Sequence, residues 1–287
     1  MITIQELYTK GKSLLKDLPD VSIESKVLVL KSLEISEEVF YSHPDRPVSN
    51  IEEQRFCRLV QERQQGIPLA YVVGEKEFWS LPFKVAPGVL IPRPETELLV
   101  AKVVELSSGI QELLIDIGTG AGNIAVSLTK ELPGVQIMAT DISPVALKTA
   151  RLNASLQKAA NITFLKGDLF SPLKDLNLEE QCDFIVSNPP YVPENQWETL
   201  QDDIRLHEPK KALVAGETGI EIIKKLVSGA PKYLKQGGYL CLEIGFGQKE
   251  DVLALFGKGW TGVDCIDDLN SLPRIIVGQK LISPQCV

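Results

Sequence analysis

A chain of 287 residues, 44% of them hydrophobic and 24% charged, has the make-up of a globular protein with a sizeable core and about two domains. Its formal net charge of −8 argues against broad capture of nucleic-acid phosphates and leaves only a local basic groove for that role. No apolar run reaches the roughly eighteen residues of a membrane span, and no basic region followed by an apolar signal core opens the chain, so no membrane association and a cytoplasmic location are expected. The five cysteines, Cys57, Cys182, Cys241, Cys265 and Cys286, form no CxxC pair, and His43 and His207 are the only histidines. That count suits a reducing compartment and offers no zinc set, so no metal is expected.

Residues 1–73 read as a small helical bundle. Ile4, Leu7, Leu14, Leu15 and Leu18 line one helix face closed by Pro19, Val27 to Leu33 make a second helix, and Ser49 with Glu52 forms a capping-box pattern ahead of the stripe Phe56, Leu59 and Val60. This segment holds nine Lys/Arg and eleven Asp/Glu, a net of −2, so it shows no basic face. A helical appendage of this kind is expected to recognise a substrate. Residues 74–92 form a linker: a hairpin with Ser80-Leu81-Pro82 at its turn, then a proline-stiffened strap that runs on to Glu97. Pro94 suits the first position of a helix reaching about Leu106, with Glu95 and Glu97 in its first turn.

Residues 93–287 form the larger domain, in which strand and helix alternate from Glu112 onward. Strands are expected at Leu113–Ile117, Val135–Thr140, Ile162–Leu165, Cys182–Ser187 and Gly238–Ile244, a short one at Ala212–Val214, and a terminal pair at Trp260–Ile266 and Arg274–Lys280. Helices are expected at Asn123–Lys130, after the Ser143-Pro144 cap, and from Gly219 to Lys235 with a break before Pro231. Such alternation predicts an α/β, doubly wound, mostly parallel sheet.

Two stretches carry chemistry. Asp116-Ile117-Gly118-Thr119-Gly120-Ala121-Gly122 leaves a strand and enters a helix, and Asp141 closes the next strand at the spacing of an acid that accepts ribose hydroxyls. The loop is G-x-G-x-G behind an Asp, which resembles the S-adenosylmethionine loop of class I methyltransferases more than a dinucleotide loop. On that resemblance Asp116, Gly118, Thr119, Gly120, Ala121, Gly122, Asp141 and Ile142 contact the cofactor, Asp168 accepts from the adenine amine and Leu169 packs on its face, with Asn188 closing the site. The second stretch, Asn188-Pro189-Pro190-Tyr191, follows the strand Cys182–Ser187. Two prolines stiffen the turn and remove two backbone donors, so it offers acceptors to a planar NH2 group. Asn188 and Pro189 would hold that group, Pro190 would shape the turn, and Tyr191 would stack on the substrate.

Three targets remain open at this point: a protein carboxamide, a flipped nucleic-acid base, or no reaction at all in a nucleotide-binding protein that prefers NAD. The strap Val89-Leu90-Ile91-Pro92-Arg93-Pro94-Glu95-Thr96-Glu97, the two stretches above, Glu208-Pro209 and Glu243-Ile244-Gly245 with Gln248 together resemble the HemK/PrmC family of release factor glutamine N5-methyltransferases. The resemblance implies a class I, Rossmann-like methyltransferase with a helical N-terminal domain. It implies S-adenosyl-L-methionine as cofactor and the glutamine of the Gly-Gly-Gln motif of class 1 peptide-chain release factors as substrate. A monomer is expected, and the acidic charge fits an enzyme that binds no nucleic acid directly. His207, Leu169 and Asp268 to Arg274 depart from the family pattern.

Overall fold

The computed structural model describes residues 2–282; Cys286 lies outside the described residues. They fall into two units, one running to Glu75 and including Gln201–His207, the other holding Lys76–Leu200 and everything from Glu208 onward.

The first unit contains α1 (Ile4–Leu14), α2 (Val21–Leu33), α3 (Glu37–Ser42), α4 (Asn50–Gln64) and α5 (Leu69–Val73). Full capping boxes start α1, at Thr3 with Glu6, and α4, at Ser49 with Glu52, each satisfying two orphan amide donors. Ile4, Leu7, Leu28, Phe56 and Val60 are fully buried between the helices. Leu14 does not join them and is 41% exposed, while Leu15 is buried. The buried stripe runs through Ile4, Leu7, Gly11 and Leu15, which leaves Leu14 on its margin. A Cβ on Gly11 would stand 2.8 Å from Phe56 Cζ, so a glycine lets the helices cross here. α2 begins six residues before the expected Val27. Its first turns hide from hydrophobic patterning because the residues they bury are polar: Glu24 is 8% exposed and Ser25 is fully enclosed. Arg63 answers Glu24 with two charge-assisted bonds, Nε to Oε2 at 2.6 Å and Nη2 to Oε1 at 3.0 Å.

A hairpin, β1 (Glu75–Phe78) and β2 (Leu81–Lys84), leads from the first unit into the second, which begins at Lys76. Its turn is Trp79-Ser80, both at positive φ (53° and 55°), not Ser80-Leu81-Pro82. A two-residue loop of this hand matches strand twist, and Pro82 is tolerated inside β2 because the hairpin is its own two-stranded sheet. Phe78 and Phe83 pack edge to face at 6.0 Å within the larger unit's apolar cluster.

A short helical turn, Pro94–Thr96, leads into α6 (Glu97–Leu106). There follow β3 (Leu113–Ile117), α7 (Asn123–Glu131), β4 (Gln136–Asp141), α8 (Pro144–Leu156), β5 (Ile162–Lys166), β6 (Cys182–Ser187), α9 (Asp202–His207), α10 (Glu221–Tyr233), β7 (Leu234–Glu243), α11 (Lys249–Leu253), β8 (Trp260–Asp267) and β9 (Pro273–Lys280). The seven-stranded sheet has the order β5-β4-β3-β6-β7-β9-β8, parallel except for β9, which runs antiparallel to both neighbours. It is a doubly wound, Rossmann-like α/β sheet. Alternate residues feed opposite cores: Leu114 and Phe184 join the cluster with α6 and α7, Ile115 and Ile185 the one with α10. Cys182 and Cys241 are core residues whose burial pushes their thiols up to about 12, which removes both as thiolate nucleophiles.

Two expected elements differ. Ala212–Val214 is not a strand: Lys210–Ala212 is a 3-10 turn, and only Val214 pairs, in a single parallel bridge with Val192. α10 also runs unbroken through Pro231. The proline sits in the last turn, where the Lys280 ammonium donates to the carbonyls of Pro231 (2.8 Å) and Leu234 (2.9 Å), so the helix end is satisfied without a break.

Candidate active site

Strand order reverses between β3 and β6, the place where open α/β sheets bind ligands, outside the strands' carboxyl ends. The glycine loop leaves β3 there. The amides of Gly118 and Thr119 both donate to Thr140 O at 2.9 Å, tying the loop to the end of β4. Gly122 has φ +80°, and a Cβ on it would lie 3.0 Å from Ala150 Cβ. Any larger residue would therefore force α7 away from α8. At Gly118 and Gly120 a Cβ would meet no atom within 4 Å, so a ligand has room to approach the backbone. Asn153 braces the loop from behind. Its Nδ2 donates to Ala121 O (2.8 Å) and Lys84 O (3.0 Å), and its Oδ1 accepts from Lys84 N (2.8 Å).

The acids lie where the spacing placed them. Asp116 is fully buried at the end of β3, and neither carboxyl oxygen has a hydrogen-bond partner among the described residues. The Thr119 hydroxyl is buried and unpartnered too. Burial pushes Asp116 up to about 7; the Thr119 hydroxyl and the Ala125 amide pull it down without reaching hydrogen-bond geometry, and the Asp141 carboxylate adds to the rise. Asp141 is already engaged: Oδ2 accepts from Gly120 N at 2.9 Å and Oδ1 from Ser143 N at 2.8 Å. Burial still raises its carboxyl above the usual range. Ile142 beside it is 57% exposed, and Asp168 lies on the surface ahead of a half-buried Leu169 at φ +48°.

The Asn-Pro-Pro-Tyr turn stands next to this loop. β3 and β6 pair in parallel register, Asp116 opposite Val186, and the Ser187 hydroxyl donates to Ile117 O at 2.6 Å. Asn188 therefore begins beside Gly118. Pro189 is buried and Pro190 half-buried. The amides of Tyr191 and Val192 both donate to Leu213 O, so the segment expected as a strand acts as a brace for the turn. Gln248 supplies another brace: its Nε2 donates to Tyr191 O at 2.8 Å and its Oε1 accepts from Gly245 N at 2.8 Å. Tyr191 has its hydroxyl inward, donating to Glu243 Oε1 at 3.1 Å, and its pKa is raised by burial and by that carboxylate.

Sequence reasoning quoted Thr96, Glu208 and Glu243 only as parts of motifs, and the structure gives each a partner. Glu208 is buried and accepts from Arg93 Nη2 (2.5 Å) and Ile91 N (3.1 Å), pinning the strap. Asn188 Nδ2 donates to Thr96 Oγ1 (2.9 Å), and Thr96 Oγ1 donates to Glu243 Oε2 (2.6 Å). A signal was present: a charged residue ending an apolar strand, as Glu243 does, has to be paired.

The PrmC N-terminal domain model matches residues 6–74, and the methyltransferase small domain model matches residues 94–216. A release factor glutamine methyltransferase of Geobacter sulfurreducens is 38% identical over 95% of this chain and 94% of its own length. One from Koribacter versatilis is 37% identical over 92% of this chain and 93% of its own. The chain belongs to the release factor glutamine methyltransferase family. Family membership makes it a methyltransferase, and the fold agrees. A methyltransferase from Pyrococcus furiosus superposes with a TM-score of 0.52 at 20% identity, covering 77% of this chain and 100% of that one. Among the described residues no helix is long and apolar enough to cross a membrane.

Proposed function

We propose that this chain methylates the side-chain amide nitrogen (N5) of the glutamine in the Gly-Gly-Gln motif of class 1 peptide-chain release factors, using S-adenosyl-L-methionine. The observation that carries this is the adjacency of a turn that can present two acceptors, Asn188 Oδ1 and the Pro189 carbonyl, and a glycine loop holding two buried polar side chains, Asp116 and Thr119, with no hydrogen-bond partner among the described residues. The residues fit the cofactor. Asp116 and Thr119 would take the ammonium of its amino-acid tail, with Gly118, Gly120, Ala121 and Gly122 beneath it. Asp141 has lone pairs left for ribose hydroxyls, Ile142 and Leu169 would flank the adenine, and Asp168 would accept from its amine.

When bound, S-adenosylmethionine supplies a sulfonium methyl carbon whose bond to sulfur breaks, leaving both electrons on sulfur, as the new N–C bond forms. An amide nitrogen is a poor nucleophile because its lone pair is delocalised. Asn188 Oδ1 and the Pro189 carbonyl each accept one of its N–H bonds, fixing the plane and aiming the lone pair. As the nitrogen gains positive character those bonds strengthen, which is binding of the transition state over the substrate. Alignment adds up to about 7–11 kcal/mol in well-oriented systems. One N–H proton leaves to solvent. The hydroxyl of Tyr191 is held by Glu243, and its ring would flank the carboxamide. Residues 1–73, which overlap the 6–74 match to the PrmC N-terminal domain model, would dock the release factor. The net charge of −8 supports a protein substrate over nucleic acid, met in the cytoplasm by a monomer.

Mass spectrometry of a release factor after incubation with enzyme and cofactor tests the reading. A gain of one methyl group on the Gly-Gly-Gln glutamine is expected; methyl label in nucleic acid and none in the release factor would reject it.

Asp116→Asn should weaken S-adenosylmethionine binding roughly 10- to 100-fold, the worth of a hydrogen bond to a charged group, about 1.5–3 kcal/mol. The parent's affinity should rise with pH through about 7 as Asp116 ionises, and the variant's should not; calorimetry across pH measures both. Stability runs the other way. A carboxyl whose folded value is raised binds protons more tightly when folded, so its contribution is present at low pH and lost as pH climbs through about 7. Asp116→Asn should flatten that decline in the ligand-free protein.

A further inference from the structure

Asn188 has a carboxamide that reads almost the same in shape whichever way it points, yet only one orientation offers an acceptor to the substrate. We propose that Thr96 and Glu243 are positioning residues that lock this orientation, so that Asn188 Oδ1 faces the substrate nitrogen and Asn188 Nδ2 cannot. The proposal rests on the reading of Asn188 as the carboxamide acceptor and explains what keeps it one.

Burial raises the Glu243 carboxyl to about 7; above that pH it is ionised, and an ionised carboxylate only accepts. Glu243 Oε2 therefore takes the Thr96 hydroxyl hydrogen, at 2.6 Å, and Glu243 Oε1 takes that of Tyr191, at 3.1 Å. Having committed its one hydrogen, the Thr96 oxygen can only accept from its other neighbour. That neighbour is Asn188 Nδ2, at 2.9 Å. A flipped Asn188 would set two oxygens against each other at that distance with no hydrogen between them. The direction of the whole chain is thus dictated from its buried end, and each member comes from a different element. Glu243 closes β7, Thr96 precedes α6 at 147 residues' separation, and Asn188 follows β6, 92 residues from Thr96. Glu243 and Thr96 are 0% and 1% exposed. Burying a carboxylate is expensive, and here it orients two donors, one of which determines the acceptor at the site.

The test compares two substitutions at one atom. Thr96→Val keeps the shape and removes the hydroxyl; Thr96→Ser keeps the hydroxyl and removes a methyl. In single-turnover methylation of a release factor, Thr96→Val should lower the methyl-transfer rate about 10- to 100-fold, the worth of an oriented hydrogen bond. Its cofactor affinity should stay within about twofold, and Thr96→Ser should recover most of the rate. In Glu243→Gln the new NH2 can donate to the Thr96 hydroxyl, reversing the chain and flipping Asn188, so the loss should approach that of Asn188→Ala. A second readout needs no release factor: the Asn188 side-chain NH2 pair in a 1H–15N spectrum, assigned by its absence in Asn188→Ala. That pair should shift in Thr96→Val and stay near the parent position in Thr96→Ser. Equal spectra for Val and Ser, or an unchanged rate in Thr96→Val, would overturn the proposal. A parent enzyme that leaves release factors unmethylated would reject the substrate reading instead, and the spectra would still decide the lock.

Discussion

Asn188→Ala should reduce methyl transfer to a release factor about 10²–10³-fold, the cost of removing one preorganised polar group from a developing charge, roughly 3–4 kcal/mol. The loss should fall on the chemical step. Asn188 lies outside the glycine loop, and Asp116, Thr119 and Asp141 keep their places without it, so S-adenosylmethionine affinity measured by calorimetry should change less than about threefold. Pro189 retains its carbonyl, so a residual rate above background is expected. Thermal stability should move little, because Asn188 is half-buried and the Thr96 hydroxyl, its side-chain partner, keeps its bond to Glu243. A variant with more than a tenth of the parent rate would remove Asn188 from the reaction.

The second large effect lies in the helical unit. Glu24→Ala should destabilise that unit by about 3–5 kcal/mol, the cost of stranding a buried charge. Arg63 is only 8% exposed at its side chain and directs Nε and Nη2 at Glu24; Nη1 makes a long bond to Ile67 O, at 3.4 Å. Hydrogen exchange on the full chain should show residues 1–73 losing protection while the sheet keeps its own. Replacing both partners, Glu24→Leu with Arg63→Met, should restore most of the loss, since apolar groups of similar volume can stand in for a buried pair. If the single and double variants exchange alike, the pair is not what holds the unit.

These two sites mark where sequence reading succeeds and where it stops. The glycine loop, Asp141 and the Asn-Pro-Pro-Tyr turn were legible because each is a local pattern at a strand end, and the βα alternation alone placed them on one edge of the sheet. The start of α2 was not legible because its buried face is Glu24 and Ser25, which look like surface residues until Arg63 is seen 39 residues away. Pro231 and Pro82 were read by their usual local effect. In one case Lys280 satisfies the helix end from a distant strand, and in the other the hairpin leaves the proline without a ladder to break. Thr96 gave no local sign of its role, which exists only through Glu243, 147 residues on.

Asn153 has a consequence for protein engineering. It grips residue 84 through that residue's amide and carbonyl, and the same NH2 holds Ala121 in the cofactor loop. The length of the hairpin is therefore fixed: one inserted or deleted residue would present the wrong peptide group to Asn153 and loosen Ala121 with it. Hairpins borrowed from other proteins should graft here by matching residue count, with proline excluded at position 84 because Asn153 needs its amide.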